Sequence, residues 1–267
     1  MSLHSTVSLA ARFAANGCDW IVPSWPAPAH VQGFVTTRNG GVSTGTYATL
    51  NLGSAGDDDG SVAENRRRVE ALLPSAPVWL DQVHGTTVAT ITGASRPKMP
   101  VADAAVTREA NVVLAVRTAD CLPVLLAARA GDIVGIVHAG WRGLAHGVVE
   151  NAVAAMDTPS DEIVAWLGPA IGPDAFEVGD DVFVACTEND GVAARCFRAT
   201  GPGKWRADLY ALTARRLELA GVRAVDGGGY CTFSDNARFF SYRRARETGR
   251  MAAFLWIEPA WAHAPKS

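Results

Sequence analysis

Three side chains in this sequence combine the donor chemistry of a metal site: His84, Cys121 and His138. Two imidazoles and one thiolate suit zinc. Three protein ligands leave a fourth position for water, which marks a catalytic rather than a structural centre. The three stand 37 and 17 residues apart, without a CxxC pair or an HExxH motif, so spacing alone leaves other readings open. Cys121 and His138 can pair as nucleophile and base. Alternatively, the set is a buried thiol with two hydrogen-bonded histidines.

Each of the three ends or interrupts an apolar run. Asp81-Gln82-Val83-His84-Gly85 follows one, Thr118-Ala119-Asp120-Cys121-Leu122-Pro123 interrupts a second, and His138-Ala139-Gly140-Trp141-Arg142-Gly143 closes a third and opens a helix. Strand ends that run into glycine-bracketed turns are where ligands and reacting groups collect. Asp120 reads as a general acid or base, or equally as a turn cap. Arg243 and Arg244, after Phe239-Phe240-Ser241-Tyr242, combine guanidinium and aromatic groups that can clamp an anion and stack on a base; a salt-bridged surface is the other reading. Arg66–Arg68 reads as a solvated helix face and Gly227–Gly229 as a backbone turn. Walker A, GxSxG and strand-linked GxGxxG motifs are absent.

Short apolar runs predict strands over 31–37, 78–83, 88–92, 112–116, 123–128, 133–138, 163–167 and 252–257. Helices are predicted over 61–73, 144–156, 180–188 and 207–220. Several runs are apolar on both faces, as in a sheet covered by helices. Strands and helices interleave irregularly, which favours an α/β fold of the α+β type with mixed sheets. No repeat or linker divides the chain, and 95–100 reads as a loop, so one domain is expected.

Of 267 residues, 48% are hydrophobic and 19% charged, a composition that builds a core rather than a disordered chain. Twenty-four Lys+Arg against 27 Asp+Glu give −3, which is no footprint of a nucleic-acid binder. Five cysteines without a CxxC suit a reducing compartment. No apolar run approaches the roughly 18–20 residues of a membrane span. The first twenty residues do not read as a signal peptide. The expectation is a cytoplasmic protein with no membrane or nucleic-acid partner.

The same blocks, with Leu50-Asn51-Leu52-Gly53, Glu64-Asn65-Arg66-Arg67, Ala102-Asp103-Ala104, Gly168-Pro169-Ala170-Ile171-Gly172-Pro173 and Arg238-Phe239-Phe240-Ser241-Tyr242-Arg243-Arg244, resemble the laccase-domain family, also called multicopper polyphenol oxidase, purine nucleoside phosphorylase or peptidoglycan editing factor. The resemblance runs over 33–257. It implies a layered α/β/β/α sandwich at 31–260 behind an N-terminal extension at 1–30, and a monomer. It also implies a pocket where His84, Cys121 and His138 bind zinc. The implied activity is phosphorolysis of adenosine, inosine, guanosine and methylthioadenosine, with deamination of adenosine. Arg38, Arg142 and Arg243 are then the candidate phosphate- or ribose-binding cations, Asn51 lies in a matching block, and Trp141 and Tyr242 can stack on a purine. Asp120 and Gln82 are candidates for proton transfer and orientation. One departure is at Asp174-Ala175-Phe176, where many members carry two cysteines and a tyrosine.

Two further functions stay open. One is a peptidoglycan-precursor editing hydrolase using Cys121 and His138. The other is a laccase-like polyphenol oxidase with copper. The chain has six histidines, two of them near its termini, so after one copper centre too few remain for a multicopper cluster. A single copper at the His–Cys–His set is chemically easy.

Overall fold

Alternation along the strands sorts the side chains into separate cores. In β6 (Leu122–Ala128), Val124, Leu126 and Ala128 face one core while Leu125 and Ala127 face another. In β13 (Met251–Ile257), Ala253 and Leu255 join that second core while Ala252, Phe254 and Trp256 face a third. A period of two with both faces apolar requires cover on both sides. The computed structural model, which describes residues 8–93 and 99–259, supplies it as four layers.

A four-stranded sheet has the order β1 (Val31–Val35), β13, β5 (Leu114–Thr118), β2 (Val78–Trp79). A six-stranded sheet has the order β12 (Ala224–Gly227), β8 (Ile163–Leu167), β6, β7 (Val134–Ala139), β4 (Ala104–Thr107), β3 (Val88–Thr90). Both mix parallel and antiparallel pairs. Leu114, Val116, Leu125, Ile136, Val164 and Leu255 fill the space between them. Outside the four-stranded sheet lie α1 (Leu9–Ala15) and α2 (Asp59–Glu70), through Leu9, Phe13 and Val69. Outside the six-stranded sheet lie α3 (Trp141–Ala145), α4 (Val148–Ala155), α5 (Asp180–Thr187) and α6 (Leu209–Leu219), through Leu144, Val149, Val182 and Leu212. A small antiparallel sheet, β9 (Glu177–Gly179), β10 (Phe197–Gly201) and β11 (Lys204–Ala207), has the order β10-β11-β9. The fold is the expected α/β/β/α sandwich with mixed sheets. Among the described residues no helix is long and apolar enough to cross a membrane.

The helix expected over 144–156 is two helices. Gly147 sits at φ +95°, a left-handed conformation that glycine adopts at no steric cost, and the chain breaks there. The strand expected over 78–83 stops at Trp79, because the chain leaves the sheet to form the loop that carries His84. Strand β4 and strands β9 to β12 had no expectation: all are short, and in β10 and β11 the residues Arg198, Ala199, Thr200 and Lys204 are exposed, so the apolar signal is missing there. Helix α2 starts earlier than expected, with Asp58 capping it by accepting the Ser61 N–H. Arg66 is not on a solvated face: it donates to the Leu52 carbonyl and lies over the Trp79 ring. Arg67 and Arg68 pair with Glu64 at the surface. Most of the 95–100 loop, and His4 and His263, lie outside the described residues.

Candidate metal centre and its pocket

Two of the three donors sit where the chain crosses from one sheet to the other. His84 lies between β2 of the four-stranded sheet and β3 of the six-stranded sheet; Cys121 lies between β5 and β6. His138 is on β7, paired with Pro123 at the start of β6. The donor atoms of the three all lie within 4.8 Å of one another. Cys121 Sγ is 3.8 Å from His84 Nε2. Tetrahedral zinc, with bonds of about 2.0–2.3 Å, needs donors roughly 3.3–3.7 Å apart, so small side-chain rotations close the set. Gly140 makes the convergence possible. A Cβ there would stand 2.9 Å from His84 Cδ2 and 3.1 Å from Cys121 Sγ.

Asp103 organises the site. Its carboxylate is fully buried, accepts from His138 Nδ1 at 2.8 Å, and takes the backbone N–H groups of Val83, His84 and Gly85. His84 itself is held at φ +60°. The bond to Nδ1 leaves His138 Nε2 as its metal-facing atom, the carboxylate–histidine arrangement that fixes the ring of a ligand. Burial would raise the Asp103 carboxyl, but His138 and the Gly85 and His84 amides outweigh it and hold it low. Burial would also raise the Cys121 thiol; His138 and then His84 bring it down to about 6. Burial disfavours the His138 imidazolium, yet Cys121 and Asp103 hold it up at about 9. The fit to a soft-borderline cation rests on this donor set: a thiolate formed at neutral pH, two imidazoles, and a buried carboxylate behind one of them. Among the described residues it is the one such cluster of three or more.

The triad opens into a cavity of about 640 Å³. Of the expected site residues, Asn51, Gln82, Asp120, Trp141, Arg142, Tyr242 and Arg243 line it with the triad. Arg38 does not. Its guanidinium donates to the carbonyls of Ala48 and Asn236 and to Asn236 Oδ1, and lies over Phe240. It ties loops together instead of facing the site, which corrects its expected place in the pocket.

Three lining residues are committed to hydrogen bonds within the protein. Gln82 donates to the Arg117 carbonyl and accepts the Arg117 N–H, so both ends of its amide are used by β5. Asn51 accepts the N–H groups of Gly53 and Arg250 and donates to the Gly53 carbonyl and Asp57. Asp120, at φ +95°, accepts from Thr232 Oγ1, Ser241 Oγ and the Arg243 N–H, which fastens 232–243 to the sheet crossover. All three bonds use its carboxylate as acceptor, the turn-holding reading of this residue.

Two features escaped sequence reasoning. Asp103 was visible only within a matching block, although a lone acid inside Val101-Ala102-Asp103-Ala104-Ala105-Val106 is itself a signal. The second is cationic: Arg117, Arg246 and Arg250 join Arg142 and Arg243 in the cavity lining. Among the described residues none of the five has a carboxylate within 4.0 Å.

Comparison with known proteins agrees with this architecture. Residues 32–258 match the family model described as multi-copper polyphenol oxidoreductase laccase. A protein of Pseudomonas aeruginosa named purine nucleoside phosphorylase is 49% identical over 241 residues, covering 90% of this chain and 98% of its own. One of Xylella fastidiosa with the same name is 52% identical over 252 residues, covering 89% and 97%. A crystal structure of a Neisseria meningitidis protein superposes with a TM-score of 0.86 at 48% identity, covering 90% of this chain and all (100%) of that one.

Proposed function

The chain belongs to the multi-copper polyphenol oxidoreductase laccase family, and from that membership we propose that it is a zinc-dependent purine nucleoside phosphorylase acting on adenosine, inosine, guanosine and methylthioadenosine. The observation that carries this reading is the shared cavity: an open His84–Cys121–His138 donor set beside five arginines that, among the described residues, have no carboxylate within 4.0 Å. Relatives about half identical bear the phosphorylase name.

Held by His84, Cys121 and His138, zinc would supply a Lewis acid and an activated water. The chain's own groups supply the rest. Orthophosphate is a dianion that a neutral pocket does not hold, and a guanidinium is the group best shaped for it. Arg243 is steadied by its bond to the Glu177 carbonyl and by Phe176, and Arg142 by the Trp141 ring. Trp141 and Tyr242 offer flat faces to a purine. Asp120 fixes the backbone of Arg243 and so aims it. A phosphate oxygen then bonds to C1′ of the ribose while the C1′–N9 bond breaks; its electron pair leaves on the base, which takes up a proton, and the products are free base and ribose 1-phosphate. Substrates and products are small molecules, and the chain works as a monomer in the cytoplasm.

The test is base release from adenosine and inosine with and without orthophosphate, alongside metal analysis. Phosphate-dependent release of base and about one zinc per chain are expected. Release that ignores phosphate overturns the reading. Ammonia release from adenosine tests deamination, a second reaction favoured by the position left open for water. A thiol hydrolase is the other reading with an observation behind it: Cys121, His138 and Asp103 form a nucleophile, base and orienting acid. Turnover that survives complete chelation would favour it.

A further inference from the structure

Five cationic side chains exceed what one orthophosphate needs, and they come from two walls of the cavity. Arg142 and Arg243 belong to one wall, beside α3 and β9: Arg142 lies over Trp141, and Arg243 lies over Phe176 and bonds the Glu177 carbonyl. Arg117, Arg246 and Arg250 belong to the other. Arg117 is on β5, and Arg250 directly precedes β13, whose Ala252 pairs with Arg117. Arg246 and Arg250 flank the Tyr242 ring at 5.8 and 5.9 Å.

The second wall is a formed structure. The Arg250 side chain packs across Gly53, where a Cβ would meet its Cγ at 2.7 Å. Its N–H is held by Asn51 Oδ1 and its guanidinium donates to the carbonyls of Thr248 and Gly249. Arg117 is half-buried and donates to the Leu80 carbonyl. Burial first, and then the charge of Arg66, disfavour its cationic form; Asp81 opposes them, and Arg250 adds a smaller push the same way. Like charges held together at a half-buried wall repel unless an anion joins them. Arg246 is exposed and has no hydrogen bond to protein among the described residues.

Resting on the nucleoside reading above, we propose that the Arg117–Arg246–Arg250 wall is a second anion subsite, which takes the 5′-phosphate of a purine nucleoside 5′-monophosphate. The substrate class then extends from nucleosides to nucleotides. Orthophosphate bonds through oxygen to C1′, the C1′–N9 bond breaks, and its electron pair leaves on the base, which takes up a proton. The products are the free base and ribose 1,5-bisphosphate, and no further reactant is needed.

The experiment is calorimetric titration of the zinc-loaded protein with adenosine and with adenosine 5′-monophosphate, each with and without saturating orthophosphate. The nucleotide is expected to bind about tenfold or more tighter than the nucleoside, as charge-assisted bonds to a phosphate allow. The preference should persist in orthophosphate and fall to about twofold or less in Arg246→Gln and Arg117→Gln. Because Arg246 is exposed and has no hydrogen bond to protein among the described residues, its variant reads ligand binding rather than folding. Equal affinity for the two ligands overturns the proposal. So does a preference that orthophosphate abolishes, which would make this wall the site of the attacking phosphate, or one that both variants retain. Phosphate-dependent base release from adenosine is scored separately. Its absence would overturn the phosphorylase reading while the nucleotide preference still decides the subsite.

Discussion

Asp103 holds His138 by two bonds at once: its carbonyl accepts the His138 backbone N–H at 2.7 Å, and its carboxylate accepts Nδ1 at 2.8 Å. The same carboxylate gathers the amides around His84. One buried acid therefore sets the backbone of one imidazole donor and the ring of the other.

Asp103→Asn keeps the size and loses the charge, and its NH2 cannot accept an amide N–H. Zinc affinity should fall about tenfold to a hundredfold, the usual cost of losing such a partner. Competition against a chromophoric chelator measures it. Unchanged affinity would show that the histidines hold their own geometry.

The thiol of Cys121 should ionise early in metal-free protein. Its thiolate fraction rises as pH rises through about 6, while His138 stays protonated up to about 9, so between these values the two form an ion pair. Alkylation mapped to Cys121 by mass spectrometry should be half-maximal near pH 6, where an ordinary thiol waits until about 8.5. Zinc should protect it. A half-maximal point above pH 8 would mean that the imidazoles do not act on the sulfur.

Gly140→Ala puts a methyl group between His84 and Cys121. Zinc content should drop well below one per chain, and stability by about 1–3 kcal/mol as the site is forced open. Full occupancy at unchanged affinity would show that the loops yield freely.

Arg243→Gln and Arg38→Gln should part company. The first should raise the KM for orthophosphate about tenfold to a hundredfold at constant zinc content. The second should leave that KM within about twofold and lower stability by about 1–3 kcal/mol, since carbonyls of Ala48 and Asn236 lose their donor. Equal effects on KM would return Arg38 to the pocket.

For Asp120→Asn the structure predicts a folding defect. Thr232, Ser241 and Arg243 all donate to this carboxylate. A loss of about 1–3 kcal/mol, read by thermal denaturation, is expected. A fall in kcat at unchanged Tm would instead support proton transfer.

The donors were legible in the sequence because each ends an apolar run, and so were the central strands, since fully apolar stretches such as 163–167 leave no choice of face. Asp103 was not read as a participant, because its role lies in contacts with residues 18 to 35 positions away. Arg38 was misplaced for the opposite reason. A guanidinium looks the same in sequence whether it faces a substrate or ties down a carbonyl. Arg117, Arg246 and Arg250 were overlooked because strand register brings Arg117 beside the start of β13 and the 241–250 loop folds Arg246 and Arg250 onto Tyr242, neither of which sequence spacing fixes.

The crossing of the chain between sheets at His84 and Cys121 has a consequence for biogenesis. The β6–β7 hairpin brings Cys121 and His138 together by itself, whereas Asp103 and the His84 loop it holds join them through β4, which pairs with β7. A nascent or half-folded chain thus offers two donors and no acid to orient them. The full donor set thus exists only after distant strands have paired, unlike in a zinc finger, where the ion builds the domain. An ion held by all three donors would therefore meet a chain whose strands are already paired.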